Sequence, residues 1–192
     1  MGYVLKTAPA AEPLTVAEAK SHMRIDTADE DTLLGFYIEA ARREVEKISG
    51  RDLITQTWQL KLNGFPGAAG EILLQRAPFS SLTSITYTDE DGNPQTMSSS
   101  NYEVDSSNHF ARVKPIDGEI WPTTATNTYN VVVIEFVTGF GSVGSDVPET
   151  YRHAMRLLLS HWNENREATV RGATIKETPI GLHAILSDRM AV

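Results

Sequence analysis

Residues 148–168 read Pro-Glu-Thr-Tyr-Arg-His-Ala-Met-Arg-Leu-Leu-Leu-Ser-His-Trp-Asn-Glu-Asn-Arg-Glu-Ala, and this stretch decides the fold. Its apolar side chains recur at helical spacing and form one stripe, which predicts a long amphipathic helix. Pro148 suits the first helical turn, where its missing N–H costs nothing, and Asp146 or Val147 is the expected cap. The stripe consists of Val147, Tyr151, Ala154, Met155, Leu158, Leu159 and Trp162.

The composition is that of an acidic chain without cysteine. Its 192 residues include 17 Lys and Arg against 25 Asp and Glu, for a formal net charge of −8. This balance argues against a protein that grips nucleic acid through a broad basic face. The lack of cysteine excludes disulfides and thiolate zinc sites. With no signal-peptide pattern and no run of about 18 apolar residues, we expect a soluble protein made in a reducing cytoplasm, with no membrane partner.

A short helix is predicted near the start of the chain. Residues 1–13 read as a loose leader. The helix then begins at Leu14, where Thr15 and Glu18 match a capping box, and it is expected to end near Arg24.

A second, longer helix is predicted from about Glu30 to Ser49, with Gly50 just after its end. Acidic residues at its start and basic residues in its second half suit the helix dipole. We expect Trp162 to be largely buried against this helix, near Tyr37, Ile38 or Ala41. Its apolar stripe is Leu33, Leu34, Tyr37, Ile38, Ala41, Val45 and Ile48.

After Gly50 the apolar period changes to two, which predicts strands. No helical pattern interrupts them, so the sheet is expected to be antiparallel. Asp91-Gly92 predicts a tight type I′ hairpin turn, and the loop from Pro115 to Asn127 is long for a hairpin. The predicted strands are residues 54–62, 71–76, 82–88, 102–104, 110–114 and 129–137.

These elements predict an α+β fold. A small helical core of three main helices carries an antiparallel β insertion between the second and third helices, followed by a C-terminal arm. The expected parts are an N-terminal helical part of the core at 1–53, the β insertion at 54–138, the loop and organising helix at 139–168, and a docking arm at 169–192.

The stretch Gly139–Gly144 formally matches G-x-G-x-x-G between a strand and a helix. Three residues separate its last glycine from Pro148, so the glycines precede the helix rather than opening it. No second parallel strand with an acidic residue follows about 20 residues later, as a dinucleotide site requires. A flexible connection is the better interpretation.

Other polar motifs fall short of a catalytic, cofactor or metal site. Asp89, Asp91 and Gly92 begin like a calcium loop but lack the later ligands, and a hairpin turn explains them. His153 and His161 lie eight apart on one helix, not at the i, i+4 spacing of a zinc helix. We therefore expect no catalytic residues, no cofactor and no metal.

The order of several short motifs resembles the head–tail connector, or adaptor, proteins of long-tailed double-stranded DNA phages and prophages. The resemblance covers nearly the whole chain and lies in the order and spacing of these motifs together. They are Pro13-Leu-Thr-Val-Ala-Glu-Ala-Lys20, Asp29-Glu-Asp-Thr-Leu-Leu34, Val45-Glu-Lys-Ile-Ser-Gly50-Arg, Leu53-Ile-Thr-Gln-Thr-Trp58, Ala77-Pro78-Phe79, Val147-Pro148-Glu149, His161-Trp-Asn-Glu-Asn-Arg166 and Pro179-Ile-Gly-Leu182.

The resemblance implies a structural, non-enzymatic subunit of the virion neck, made in the host bacterial cytoplasm. It implies a homo-oligomeric ring, dodecameric in the family, bound beneath the portal protein ring and above a downstream neck or tail-completion protein. DNA would pass through its lumen without specific binding, and acidic side chains toward the lumen would repel phosphate. The helical core is the expected ring-forming part.

A docking role is expected for the end of the chain. After Pro179, apolar residues recur at roughly helical spacing in a stripe too short to be stable alone. It would cover either the protein's own core or the portal or a neighbouring subunit. The predicted docking residues are Arg166, Pro179, Ile180, Leu182, Ile185 and Leu186, and the predicted core residues of the organising helix are Tyr151, Met155, Leu158, Leu159 and Trp162.

Two other functions stay open from the sequence. One is a tail or baseplate module whose β insertion binds a partner or sugar, which a pocket lined by Trp58 and Trp121 would favour. The other is a nucleotide-binding enzyme using Gly139–Gly144, which a strand parallel to residues 129–137 would favour.

Overall fold

The computed structural model describes residues 2–67 and 69–165, which form three α-helices and eight β-strands. None of the helices in this part of the chain is both long and apolar enough for a membrane span. In chain order the elements are β1 (Gly2–Thr7), α1 (Val16–Met23), α2 (Asp31–Ser49), β2 (Gln56–Leu62), β3 (Ile72–Leu74), β4 (Phe79–Thr88), β5 (Pro94–Thr96), β6 (Tyr102–Asp105), β7 (Ala111–Pro115), β8 (Val132–Thr138) and α3 (Glu149–Glu164).

The chain divides into two compact units, each with its own core. The β unit comprises the described residues of Met1–Ala10 and Thr55–Gly139. The helical unit comprises those of Ala11–Ile54 and Phe140–Val192. The α+β class predicted from the sequence is confirmed, with antiparallel strands between the second and third helices.

The helical unit is a three-helix arrangement in which each helix contacts the other two. The predicted capping box begins α1: the Thr15 hydroxyl accepts the Glu18 N–H at 3.1 Å, and the Thr15 N–H donates to the Glu18 carboxylate at 2.8 Å. At the end of α2, Gly50 adopts φ 66°, the left-handed conformation that glycine allows at little cost. Both helix ends are thus determined locally by the sequence.

The apolar stripe of α3 supplies much of the helical core. Met155, Leu158 and Leu159 are buried, while Tyr151 and Trp162 are partly buried against the same cluster. The ring of Trp162 meets that of Tyr37 edge to face, with centroids 6.2 Å apart. Trp162 therefore packs where the sequence predicted, against Tyr37 of α2, with most of its surface covered.

The N-terminal cap of α3 differs from the prediction. Pro148 is itself the cap residue, with extended backbone at ψ 138°, and it uses no side-chain hydrogen bond. Proline supplies no side-chain acceptor, so Glu149, the acid in the first turn, provides the favourable charge at this end.

The β unit contains two antiparallel sheets that share one core. The first has the strand order β1-β2-β8-β4-β5 and the second β3-β7-β6. Burial along the central strand β8 alternates with a period of two, with Ile134 and Phe136 fully buried. Antiparallel pairing is confirmed for every named strand of the described chain.

The expectation of a loose leader over residues 1–13 is wrong at its start. Residues Gly2–Thr7 form β1, which pairs with β2 and becomes an edge strand of the larger sheet. Val4 and Leu5 point to opposite faces and both remain exposed, at 45% and 42%. Only Tyr3 of this strand packs against the β core, so the six residues show no run of alternating burial that a period-two pattern would reflect.

The hairpin at Asp91-Gly92 is present, but its turn is not type I′. Among its central residues only Gly92 has positive φ, at 85°. The Gly92 N–H donates to the Asp89 carbonyl at 3.1 Å, and the Asp89 N–H donates to the Asn93 carbonyl at 3.0 Å. This pattern is a type I turn followed by a glycine bulge, the usual form of a three-residue hairpin loop.

Candidate functional site

The glycine-rich connection between β8 and α3 is closed by its own contacts. The Asp146 carboxylate accepts the Val143 N–H at 3.2 Å. A Cβ on Gly141 would lie 2.1 Å from an Asp146 oxygen, and one on Gly144 would lie 2.6 Å from the Pro13 carbonyl oxygen. Close packing in the loop thus requires glycine at these positions. One backbone N–H that could bind an anion already donates to the Asp146 carboxylate.

The other acidic and histidine motifs have local explanations. The Asp89 carboxylate accepts the N–H groups of Asp91 and Asn93 and the Gln95 amide, at 2.8–3.1 Å. These bonds, led by that from Gln95, hold the pKa of Asp89 below its usual range. No group of three or more potential metal ligands occurs among residues 2–67 and 69–165.

Trp58 and Trp121 serve the interior of the β unit. Trp121 is only 4% exposed; its Nε1–H donates to the Gly70 carbonyl at 2.7 Å, and its ring stacks on Phe65 with centroids 4.7 Å apart. The Arg76 guanidinium covers Trp58, 3.7 Å from the ring centre. Each ring is engaged by neighbours of its own, so the Trp58–Trp121 pocket that would favour a sugar-binding module finds no support in these contacts.

The predicted docking residues lie outside the described residues, so they stay a prediction. They are Arg166, Pro179, Ile180, Leu182, Ile185 and Leu186. Two ion-pair networks of the helical unit, centred on Arg152 and Arg42, were not predicted from the sequence.

Arg152 joins α3 to the start of α1. Its Nε–H donates to the Pro13 carbonyl at 3.0 Å, and its guanidinium forms ion pairs with Glu18 and with Glu149. Glu149 also pairs with Arg156, about two helical turns further along α3. The network fixes two guanidinium groups on the side of α3 that faces α1.

Arg42 is the centre of a second network and is only 6% exposed. Its guanidinium donates to Glu12 at 2.8 Å and to Glu46 at 3.0 Å, and Glu46 accepts the Leu53 N–H at 2.9 Å. Burial raises the pKa of Glu46, whereas the Leu53 N–H and Arg42 act against that rise. This network ties three stretches of the helical unit together. Its signal in the sequence is that Arg42 lies four residues after Ile38, on the buried side of α2.

Two outer surfaces of the helical unit are chemically distinct. An open groove runs between α1 and α3, and α2 presents a different side with the exposed ring of Phe36, 65% accessible. The groove is lined by Ala17, Glu18, Ser21, His22, His153 and Arg156. The groove is lined mainly by polar and ionisable side chains, whereas the α2 surface presents an aromatic ring.

Comparison with known proteins assigns the family. Residues 13–117 match the model of the phage gp6-like head–tail connector protein. The chain belongs to this family. It is a structural connector protein, as the motif order in the sequence predicted.

Solved structures similar to this connector come from gene transfer agent (GTA) particles. One, described as the neck of an empty GTA particle computed with C6 symmetry, is 26% identical with a TM-score of 0.81. A second, from the virion of a native GTA particle, is also 26% identical with a TM-score of 0.78. Each match covers 100% of this chain and 96% of the other. A search of curated proteins finds no match.

The charge on Glu18 provides a first test of the Arg152 network. The Thr15 N–H, and then the Thr15 hydroxyl and Arg152, lower the pKa of Glu18 below its usual value. A lowered pKa gives stability that is present above the unfolded-state pKa, about 4.3, and is lost as the pH falls through the folded-state pKa. Glu18→Gln keeps a capping side chain but removes the charge. We expect it to reduce the free energy of unfolding at pH 7 and to have a smaller effect at pH 3, measured by urea denaturation.

The matched control for Glu18 is Glu90→Gln, because Glu90 is exposed at the hairpin turn. That variant should follow the wild-type pH profile. A Glu18→Gln effect that is equal at both pH values would show that the charge contributes nothing.

The glycine connection provides a second test. Gly141→Ala places a Cβ against Asp146 and should destabilise the protein by about 1–3 kcal/mol, as overpacking does. Gly35→Ala is the control, because nothing lies within 4 Å of its Cβ position inside α2, and it should stabilise by up to about 1 kcal/mol. Thermal unfolding measures both. An unchanged melting temperature for Gly141→Ala, or saturable dinucleotide binding by the wild type, would contradict this account of the loop.

Proposed function

We propose that this connector is a subunit of a ring in the neck of a phage-like particle, between the DNA-filled head and the tail. The observation that carries the proposal is the match over the full chain, at 26% identity, to a protein in the neck of a GTA particle. The C6 symmetry of that neck supports a ring, and twelve copies, the number implied by the family resemblance, are compatible with six-fold symmetry.

The partners we propose are the portal protein ring on the head side and a neck or tail-completion protein on the tail side. We assign the ring contacts to the helical unit, because its outer surfaces differ in chemistry. Head-to-tail contacts that close into a ring need two different complementary surfaces on each subunit. The role is structural, and the proposal includes no catalytic step.

The charge distribution suits a ring through which DNA passes. At least nine Lys and Arg side chains of the described chain form ion pairs with carboxylates within the same subunit. They are Lys6, Lys20, Arg42, Arg43, Lys47, Arg112, Lys114, Arg152 and Arg156. Positive charges held in this way, within a chain of net charge −8, leave little basic surface to hold phosphate.

We propose that the segment after residue 168 is a docking arm that attaches the ring to the portal or to a neighbouring subunit. The support is the short apolar stripe after Pro179, formed by Ile180, Leu182, Ile185 and Leu186. A stripe of this length needs a partner surface to be stable as a helix.

Imaging tests the ring. The full-length chain is mixed with the portal ring of its own particle and examined by electron microscopy. We expect a closed ring of connector subunits on one face of the portal. A compact, stable dimer that ignores the portal would contradict the proposed function.

Deletion of residues 179–192 tests the arm. We expect the shortened protein to keep its melting temperature and to lose portal attachment, measured by co-sedimentation. The control keeps the full length and replaces the polar residues Thr174, Lys176 and Glu177 by Ser, and it should still attach. Attachment of the deletion variant at wild-type strength would reject the arm, and loss of folding would show that the segment belongs to the core.

A further inference from the structure

Phe36 projects from the side of α2 opposite the core. It lies two residues after Leu34 and two before Ile38, both of which are buried. At about 100° per residue, it therefore points roughly 160–200° away from both. Phe36 is 65% exposed, the largest exposed fraction for a large apolar residue on the three helices.

Several of the residues around Phe36 have small side chains or none, which leaves its ring accessible. Thr32 and Ala40, one turn before and after, are small and exposed. Gly35, beside it, faces open space where a side chain would begin. A large, exposed aromatic side chain can act as an anchor for a partner surface, and such residues dominate the energy of many interfaces.

The groove between α1 and α3 has the complementary shape and chemistry. Ala17 and Ser21, one turn apart on α1, give it a floor of small side chains. His22, His153 and Arg156 line it with planar groups that stack well on an aromatic ring. Arg156 is held by its ion pair with Glu149, so this wall is in place before a partner binds.

The groove and Phe36 lie on opposite sides of the helical unit. Each helix contacts the other two, so the outer groove between α1 and α3 faces away from α2. Phe36 points outward from α2. A projection on one side and a matching groove on the other are what a head-to-tail contact between identical subunits requires.

The polar groups of the two surfaces can also pair. The turn that leads into α2 carries exposed Asp26 and Asp29, ten and seven residues before Phe36. The groove is lined by His22, His153, Arg156 and Glu18, and the last two already form ion pairs within the subunit. The acidic side chains of one surface would therefore accept hydrogen bonds from the imidazole N–H groups of the other.

We propose that Phe36 of one subunit inserts into the α1–α3 groove of the next, and that this contact closes the ring. The occupant of the groove is a second copy of this chain. The inference rests on the proposed function, because it names the contact through which the proposed ring assembles.

Engineered disulfides test the contact directly, because the chain contains no cysteine. Ser21→Cys in the groove is combined with Thr32→Cys in one variant and with Ala40→Cys in another, which leaves Phe36 in place. Rings assembled on the portal are oxidised and run on a non-reducing gel. We expect a ladder of linked subunits for at least one pair and none for the single variants.

The control pair is Ser21→Cys with Lys47→Cys. Lys47 is exposed on the same side of α2, but it lies eleven residues beyond Phe36, roughly 16 Å along the axis. That is too far for a disulfide, whose Cα atoms lie about 5.5–6 Å apart. The inference would be overturned if only the control pair gave a ladder, or if well-formed rings gave no ladder with any pair. Either result would leave the proposed function intact.

Substitution of the anchor gives a second measurement. Phe36→Ser should raise the concentration needed for ring assembly by about tenfold or more, while the melting temperature of the free subunit stays the same. Tyr129→Ser, at an 82% exposed aromatic residue of the β unit, should leave assembly unchanged.

Three outcomes would overturn the inference. If the Phe36→Ser protein forms rings at the same protein concentration as the wild type, the Phe36 side chain is not the anchor. A lower melting temperature of Phe36→Ser would show that the chain's own residues cover it. Failure of the wild-type protein to form any ring would refute the proposed function, and the inference with it.

Discussion

The antiparallel pairing of β2 with β8 is the constraint on which both units depend. Its register runs without a break from Gln56 opposite Thr138 to Leu62 opposite Val132. These strands carry the chain out of the helical unit and back again. Just beyond them, the Phe140 N–H donates to the Leu53 carbonyl at 3.2 Å, and Ile54 forms a parallel bridge with Gly141. The pairing therefore holds together two points of the chain that are far apart in sequence, and α3 follows shortly after the second of them.

Local signals in the sequence were sufficient for the helices. The capping box at Thr15, the glycine after Ser49 and the stripes of α2 and α3 are all properties of neighbouring residues, and the structure agrees with them. The antiparallel sheet was also predictable, because the strand patterns between Gly50 and Gly139 follow one another with no helical pattern between them. Elements with weak local signals were missed: five of the six residues of β1 are exposed, and β5 has three exposed residues that begin with Pro94.

The candidate site was less predictable because it depends on contacts between distant residues. Glu18 and Arg152 are in contact although 134 positions separate them in the sequence, and 30 positions separate Glu12 from Arg42. A sequence pattern can show that an arginine lies on the buried side of a helix, but it does not identify its carboxylate partner. The family was nevertheless recognisable, because the order of several weak motifs along the chain is more specific than any one of them.

The connector's charges are arranged around its own interior. Arg42 and Arg152 are largely covered, and their carboxylate partners are supplied within the helical unit. Removing one partner from such a pair leaves an uncompensated charge, which is far more costly than breaking a surface pair. The two networks therefore give the helical unit one specific arrangement, and they do so without providing free positive charge for DNA.

The central position of β8 has a consequence for the synthesis of the protein. β8 lies between β2 and β4 in the sheet, yet among the strands of residues 2–67 and 69–165 it is the last to leave the ribosome. About 100 residues also separate the end of α2 from the start of α3. At a translation rate of about 5–20 residues per second, α1 and α2 are synthesised roughly 5–20 s before α3. Neither unit can be completed before most of the chain has been translated, so unfinished chains lack the finished surfaces that a growing assembly would need.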